Sequence, residues 1–375
     1  MIKRHLALVG GQPFPVYRGI IDHQPDEVIL VYSEGSEKQA EILQREINRK
    51  MACKITIEKF NPVDLSKIRS KIVNLQKSIK PEDEVVVNLS SGTKPWSILF
   101  YEYLHMLENV RCIFIDQNNL LWDFYTNVSR PLETALTLEE TFGLNNIKVK
   151  SHMRFDETDQ NEVKTALHIR QFRERWPKEF KALTEFISKH PDHTYSACGN
   201  SSLSWNKETK TAKFWMVNKE KKVTEQSFTS PHIYSLLFNT GWFELEVADF
   251  LSQWEHAKEV WMNCVLVNME SNNIQPINEI DIIVNTGNKL LFVECKTQVY
   301  DGTDIDKFNN AVKSYGGLAS KRIFITDAAM KPAPQGKCNQ AKIPFFAMSE
   351  LRNDEMKKKM FFKFLTSELR TINEK

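Results

Sequence analysis

Apolar and polar positions follow two rhythms along the chain. In the first 125 residues, short apolar runs (LALVG, EVILVYS, KITIEKF, EVVVNLS and VRCIFID) recur about 22 to 30 residues apart. Between them, EKQAEILQREINRK and DLSKIRSKIVNLQKSI repeat their apolar residues at helical spacing. Strand, helix, strand at this interval predicts a Rossmann-like, doubly wound parallel sheet. LLWDFY adds one more strand, and residues 126–150 lose the rhythm and read as a connector. Beyond it, VKTALHIRQFRERWPKEFKALTEFISKH is helical, with Pro177 at a helix start or break. Its Arg170, Arg173, Arg175 and Lys178 form either a solvated basic face or a contact for a substrate strand. LSWNKETKTAKFWMV reads as a hairpin around NKETK. A strong helix then begins near Thr240 in GWFELEVADFLSQW. It is followed by the strand VWMNCVLVNM, the hairpin NEIDIIVNTGNKLLFVECKT, the helix DIDKFNNAVKSY, the strand KRIFITD and a C-terminal helix. This second part predicts a mixed α/β core with a helix packed on it. The expected organisation is a first domain over 1–125, a connector over 126–150, and a second domain over 151–375 whose stretch 151–234 is an extension.

The hairpin carries chemistry. If the turn centres on Thr286 to Asn288, Asp281 falls opposite Glu294. Opposed residues share a face, and so do positions i and i+2 of one strand, so Asp281, Glu294 and Lys296 project together from one end of the hairpin. Two carboxylates that close repel unless a positive charge lies between them. A hard divalent cation with oxygen ligands satisfies them, and the lysine beside it can orient a water or hold a phosphate oxygen. That is equipment for metal-assisted phosphodiester hydrolysis. The plainer alternative is an edge hairpin with solvated charges, but here the charges end the apolar run LLFV, which should be buried.

A second constellation lies in NLSSGTKPWSILFYEYL, where a buried strand passes through a small-residue loop into a helix. In a doubly wound sheet such loops lie at the carboxyl edge, where ligands bind. Ser90, Ser91, Gly92 and Thr93 offer hydroxyls and N–H groups near a helix N-terminus, Lys94 adds charge, and Pro95 suits a first helical turn. The loop is no P-loop, because proline follows Lys94 and the upstream glycine is missing. The loops after the first two strands should reach the same edge, which adds Gly10, Gly11, Gln12, Ser33 and Ser36. Ordinary strand-to-helix turns would explain any one of these loops alone.

Composition narrows the partners. The 375 residues are 41% hydrophobic, and the net charge of +2 gives no strong overall field, so a nucleic-acid contact must be a local patch. Six scattered cysteines form no C-x-x-C pair and indicate neither a zinc site nor a disulfide framework. The apolar run at the N-terminus is too short for a signal peptide, and no stretch approaches the roughly 18 apolar residues of a membrane span. A soluble cytoplasmic protein without membrane contact is expected.

LVGGQPFPV with NLSSGTKPW resembles the CARF domains of type III CRISPR systems, and GWFE with NEID and VECKT resembles the PD-(D/E)xK nuclease domain, a restriction-endonuclease-like α/β fold. Together they resemble the CARF-nuclease effectors of that defence system over roughly residues 1–125 and 235–330, leaving the middle of the chain outside the likeness. The resemblance implies that Asp281 and Glu294 bind Mn²⁺ or Mg²⁺, with the Cys295 carbonyl as an extra ligand, and that Lys296 positions water. It implies that Glu244, on the first core helix, joins the catalytic and metal set. Glu246 competes for that role, and a first-turn acid is otherwise explained by the helix dipole. Ile280 stands where the motif has proline, and Glu279 shares parity with Asp281. The resemblance further implies a homodimer, a cyclic oligoadenylate activator (cyclic tetra-adenylate favoured), and metal-dependent cleavage of single-stranded DNA and RNA with nicking of duplex DNA. Two other readings fit the residues: a restriction- or recombination-type nuclease with an unrelated ligand domain, and a non-enzymatic, ligand-regulated nucleic-acid-binding sensor.

Overall fold

A computed structural model describes residues 1–269, 278–287, 289–299, 302–315 and 320–369. Asn288 of the expected turn lies outside them. The chain divides into two compact units, the first Met1–Lys148 and the second beginning at Val149.

The first unit is a seven-stranded sheet of β1 (Lys3–Leu8), β2 (Glu27–Tyr32), β3 (Lys54–Lys59), β4 (Glu84–Asn88), β5 (Val110–Ile115), β6 (Leu120–Asp123) and β7 (Val128–Pro131) in the order β3-β2-β1-β4-β5-β6-β7. The pairs from β3 to β5 are parallel, and β6 and β7 close the edge antiparallel. Its helices are α1 (Phe14–His23), α2 (Glu37–Lys50), α3 (Leu65–Ser78), α4 (Lys94–Leu104) and α5 (Leu138–Leu144). Strand parity explains the double winding. On β1, Leu6 and Leu8 face Ile68, Ile72, Trp96 and Phe100 of α3 and α4, while Ala7 faces Tyr17, Ile20, Leu43 and Ile47 of α1 and α2. Asp64 caps α3 through the Ser66 and Lys67 amides, and Thr137 with Glu140 forms a capping box on α5. Residues 126–150, expected as a connector, therefore hold a strand and a helix of this unit, and α5 packs on α2. Their shortness hid them: β7 is an exposed four-residue edge, and α5 is two turns long.

One polar pair lies inside this apolar frame. His5 on β1 is fully buried, its Nδ1 3.2 Å from Nδ1 of His23. Burial, then proximity to His23, drives the His5 pKa well below 6.5. Burial also lowers His23, partly offset by Glu84. Both groups are depressed bases, so their neutral forms favour the fold above the unfolded value near 6.5, and that stability is lost as pH falls from there toward the folded values. Thermal melts should show the first unit losing stability below about pH 6.5, at up to about 1.4 kcal/mol per pH unit for each histidine. His5→Leu should flatten that dependence; an unchanged slope would exclude the pair as its source.

The second unit has two sheets. The larger joins β8 (Ile147–Arg154) to β13 (Glu259–Asn268), β14 (Asn278–Asn285), β15 (Leu290–Lys296), β16 (Ser320–Thr326) and β17 (Phe345–Ala347), in the order β17-β16-β15-β14-β13-β8. The smaller is antiparallel and consists of β9 (Tyr195–Cys198), β10 (Ser201–Asn206), β11 (Thr211–Val217) and β12 (Val223–Thr229) in the order β12-β11-β10-β9. Helices α6 (Gln160–Arg175), α7 (Pro177–Lys189), α8 (Ile233–Phe238), α9 (Gly241–Ser252), α10 (Thr303–Tyr315), α11 (Pro332–Gln340), α12 (Met348–Leu351) and α13 (Glu355–Leu369) complete it. Pro177 opens α7, where its missing N–H is tolerated. Helix α9 packs on β14 and β15 on one side and α6 on the other, its Trp242, Phe243, Val247 and Leu251 fully buried. Gly241 is required there, since a Cβ would lie 2.9 Å from the Ser235 hydroxyl and 3.0 Å from its carbonyl oxygen. No described helix is long and apolar enough to cross a membrane.

Candidate functional site

Hairpin β14–β15 sets the first cluster. Its ladder places Ile282 opposite Val293 and Asn285 opposite Leu290, the frame that brings Asp281 beside Glu294. Lys296 Nζ lies 2.7 Å from Glu294 Oε1 and 3.3 Å from Asp281 Oδ2, and that same Asp281 oxygen accepts the Cys295 N–H at 2.8 Å. Asp281 is 9% exposed. The charges are crowded and poorly hydrated. Burial, then the Asp281 charge, raises Glu294 to about 7 and Glu244 to about 8. Burial also raises Asp281, although Lys296 and the Cys295 N–H oppose it. Burial works against the Lys296 charge, but Asp281 and Glu294 outweigh it and hold its pKa above the ordinary value.

Packing of α9 on β14 and β15 separates the two acids of its first turns. Glu244 faces Asp281, whereas Glu246 accepts two 2.7 Å hydrogen bonds from Arg352, which also pairs with Asp327. Arg170 approaches Glu246 at 3.4 Å and Glu174 at 3.0 Å, and Arg173 pairs with Asp327. Those arginines, read from sequence as a solvated or strand-binding face, are thus engaged in an internal network that fastens α6 to the end of β16. Arg175 and Lys178 remain exposed. Glu279 is raised by burial and by Asp281. The sequence reading missed Asp304 in the first turn of α10, whose charge acts on both Asp281 and Glu294. It also missed Glu162, which accepts from Ser230 at 2.6 Å, pairs with His232 at 2.8 Å, and shares a small cavity of about 60 Å³ with Glu244. Acidic residues in a first turn are too common to signal Asp304, and nothing in the sequence joins positions 162, 232 and 244.

The donor set suits a hard cation: carboxylate oxygens at a buried point, with pKa values raised by burial and by each other's charge. Among the described residues no three acidic, histidine or cysteine side chains converge on one point as they stand, and Lys296 bridges Asp281 and Glu294.

The second cluster forms at the carboxyl edge of the first unit. The sheet order reverses between β1 and β4, and the loops after both strands meet there. The Gly10 N–H donates to Ser91 Oγ at 3.0 Å, and a Cβ at Gly10 would come within 2.6 Å of the Gly92 nitrogen. Gly92 has φ +84°, and a Cβ there would press on Leu8 and Trp96. Ser36 donates to the Val9 carbonyl at 2.8 Å, drawing in the third loop with Ser33. A cavity of about 250 Å³ is lined by Leu89, Ser90, Ser91, Gly92, Lys94, Ser97 and Ile98. The expected residues divide by role. Ser90 donates to Asn88 and accepts from the Ile115 N–H at 2.7 Å, so its hydroxyl is occupied within the fold. Thr93 caps α4 and donates to the Pro62 carbonyl at 3.0 Å. Gly11, Gln12 and Lys94 are exposed, and Ser33, Ser91 and Gly92 partly so.

Residues 5–141 match the Card1 CARF domain family. No curated protein sequence matches the chain. Among solved structures, Can2 from Sulfobacillus thermosulfidooxidans in complex with cyclic tetra-adenylate shares the fold at a TM-score of 0.66 and 14% identity, covering 98% of this chain and 100% of its own. Protein VC1899 from Vibrio cholerae does so at 0.70 and 14%, covering 96% and 98%. A type III CRISPR defence DNA nuclease activated by cyclic oligoadenylate is similar at 0.56 and 18%, over 88% of this chain and 47% of that one.

Proposed function

We propose that this chain, whose first domain is a CARF domain of the Card1 family, is a cyclic-oligoadenylate-activated, metal-dependent nuclease of type III CRISPR defence. The observation that carries the reading is the Asp281–Lys296–Glu294 cluster, held at the end of β14 and β15 on the same chain as such a domain. The solved structures that share this fold include one holding cyclic tetra-adenylate and one described as a cyclic-oligoadenylate-activated DNA nuclease.

Asp281, Glu294 and Glu244, with the Cys295 carbonyl, would hold Mn²⁺ or Mg²⁺. The ion, when bound, supplies a Lewis acid and lowers the pKa of water. Lys296 holds a phosphate oxygen or positions the attacking water, and burial of the cluster excludes bulk solvent from the reacting phosphodiester. Single-stranded DNA and RNA are the substrates, with nicking of duplex DNA.

The activator is cyclic tetra-adenylate, taken by Gly11, Gln12, Ser33, Ser91, Gly92 and Lys94. A cavity of about 250 Å³ lies below the usual ligand range. It is too small for a ring of four nucleotides, so each chain supplies half of a site that a homodimer completes. An apolar surface continues from that cavity. Ile98, which lines it, is 65% exposed, and Tyr101, Phe114, Trp122, Phe124 and Tyr125 are exposed on the same unit. Phe114 pairs with Trp122 across β5 and β6, and the Tyr101 ring meets Phe124 at 5.7 Å. Ligand binding activates by favouring one arrangement of the paired chains over another.

The test is cleavage of labelled single-stranded DNA and RNA with Mn²⁺, with and without cyclic tetra-adenylate. Cleavage with the ligand alone supports the reading; ligand binding without cleavage of any substrate would leave a non-enzymatic sensor. Lys94→Ala should move the activation curve to about tenfold higher ligand, the scale of one lost charge-assisted contact, with the same maximal rate. An unchanged curve would remove Lys94 from the ligand site.

A further inference from the structure

Among the described residues, the sheet β12-β11-β10-β9 is covered on one face only. Leu203, Trp205, Ala212, Phe214, Met216 and Phe228 point inward to α6 and α7, where the Phe180 and Phe214 rings stack at 5.5 Å. Alternation sends the intervening side chains outward, and they are unusual for a bare sheet face. Trp215 is 45% exposed and Tyr195 57%. The register orders them. Ser202 lies between Ala197 and Trp215, and Ser204 lies between Tyr195 and Lys213. Small hydroxyl residues of β10 thus floor a shallow trough with a tyrosine on one bank and a lysine and a tryptophan on the other, two strand spacings or about 10 Å apart.

Charge favours one occupant. Residues 195–229, which form this sheet and its turns, carry Lys207, Lys210, Lys213, Lys219, Lys221 and Lys222 against Glu208, Glu220 and Glu225. That surplus of three positive charges exceeds the +2 of the entire chain. On the outer face itself Lys213 is offset by Glu225, which lies opposite Trp215, so the basic surplus sits in the turns at the two ends of β11, around Lys207 and Lys210 and around Lys219, Lys221 and Lys222. Exposed rings set among lysines and small hydroxyls are the materials of a base-stacking platform. The rings take the faces of bases regardless of sequence, the lysines neutralise phosphates, and a duplex, whose bases are already stacked, has no free face to offer.

We propose that the outer face of β9–β12 binds single-stranded polynucleotide, with Trp215 and Tyr195 stacking bases and Lys213 meeting the backbone between them. The proposal deepens the nuclease reading and rests on it for the role of the bound strand as substrate. Binding itself is measurable without catalysis.

The experiment is fluorescence anisotropy of labelled oligo(dT), oligo(U) and a DNA duplex with the full-length protein in EDTA, at several salt concentrations. Wild type should bind one or both single strands more tightly than the duplex. Trp215→Ala and Tyr195→Ala should each weaken single-strand binding about tenfold, and Trp215→Phe should restore most of the loss. Lys213→Ala should lower the slope of log affinity against log salt by about 0.7. These side chains point to solvent, so the variants should melt as wild type does. Wild-type affinity in both aromatic variants would overturn the proposal, as would equal losses for duplex and single strand. Cleavage that fails in the Mn²⁺ assay while these losses are seen in EDTA would sink the nuclease reading and leave the platform standing.

Discussion

Glu294→Ala is expected to reduce cyclic-tetra-adenylate-activated cleavage by at least about a thousandfold, the scale on which removal of a group that stabilises transition-state charge is felt. The ligand should bind as before, because Glu294 belongs to the sheet of the second unit and the loops of Gly10, Ser33 and Gly92 to that of the first. Stability gives an independent signature. Glu294 is raised to about 7, mainly by burial and then by Asp281, so its charge opposes the metal-free fold. Lys296 keeps Asp281 as a partner when Glu294 is gone. The metal-free Ala variant should therefore melt no lower than wild type, and a site built for function at a cost in stability is the explanation. Cleavage time courses with Mn²⁺, ligand titration by calorimetry and melts in EDTA read all three. Cleavage at more than a tenth of the wild-type rate would remove Glu294 from the active centre, and a large drop in melting temperature would make it a structural residue.

What was legible in the sequence was legible for local reasons. Strand parity across a short turn fixes a common face, so the proximity of Asp281, Glu294 and Lys296 followed from spacing alone, as did the two-sided burial of β1 and the hairpin of β10 and β11. Helix α9 shows the limit. Periodicity puts Glu244 and Glu246 on different faces but cannot say which face meets the hairpin; packing of α9 against β14 and β15 chose Glu244, and Arg352 and Arg170 claimed Glu246. In the loops at the carboxyl edge of the first sheet, composition marked the hydroxyls correctly as loop residues but could not tell which point outward. Ser90 and Thr93 are spent on Asn88, Ile115, Pro62 and the cap of α4. Side-chain to backbone bonding of this kind is how serine and threonine make tight turns, and it competes with any ligand for the same oxygen. The smaller sheet was the least legible part: three of its four strands carry a polar outer face and are joined by turns of ordinary composition. Its role rests on Trp215 and Tyr195, whose exposure appears only once α6 and α7 are seen to cover the opposite face.

Phe124→Glu is expected to convert a dimer into a monomer and to abolish activation, although Phe124 is remote in sequence from every residue assigned to ligand or catalysis. Phe124 is 48% exposed, and Trp122, Phe114 and Tyr101 extend its apolar patch toward Ile98, which is 65% exposed on the rim of the cavity beside Ser91 and Lys94. A contiguous apolar patch of this kind marks an interaction surface rather than ordinary exposure. A standard interface removes about 800 Å² per partner from water, within reach of five large side chains and the polar rim around them. Joined through this face, two copies would bring two half-sites of about 250 Å³ together. A glutamate buried in that interface loses its hydration and disfavours association strongly. Light scattering should therefore give the mass of one chain for the variant and of two for wild type. The monomer should bind cyclic tetra-adenylate at least about tenfold more weakly, since half of the contacts are lost, and should cleave nothing at ligand concentrations that saturate wild type. Its far-ultraviolet spectrum should be unchanged, because Phe124 is half-exposed in the unpaired chain. A variant that stays dimeric would place the interface elsewhere. A monomer that is still fully activated would show that one chain holds the whole ligand, and the shared-site argument would fall with it.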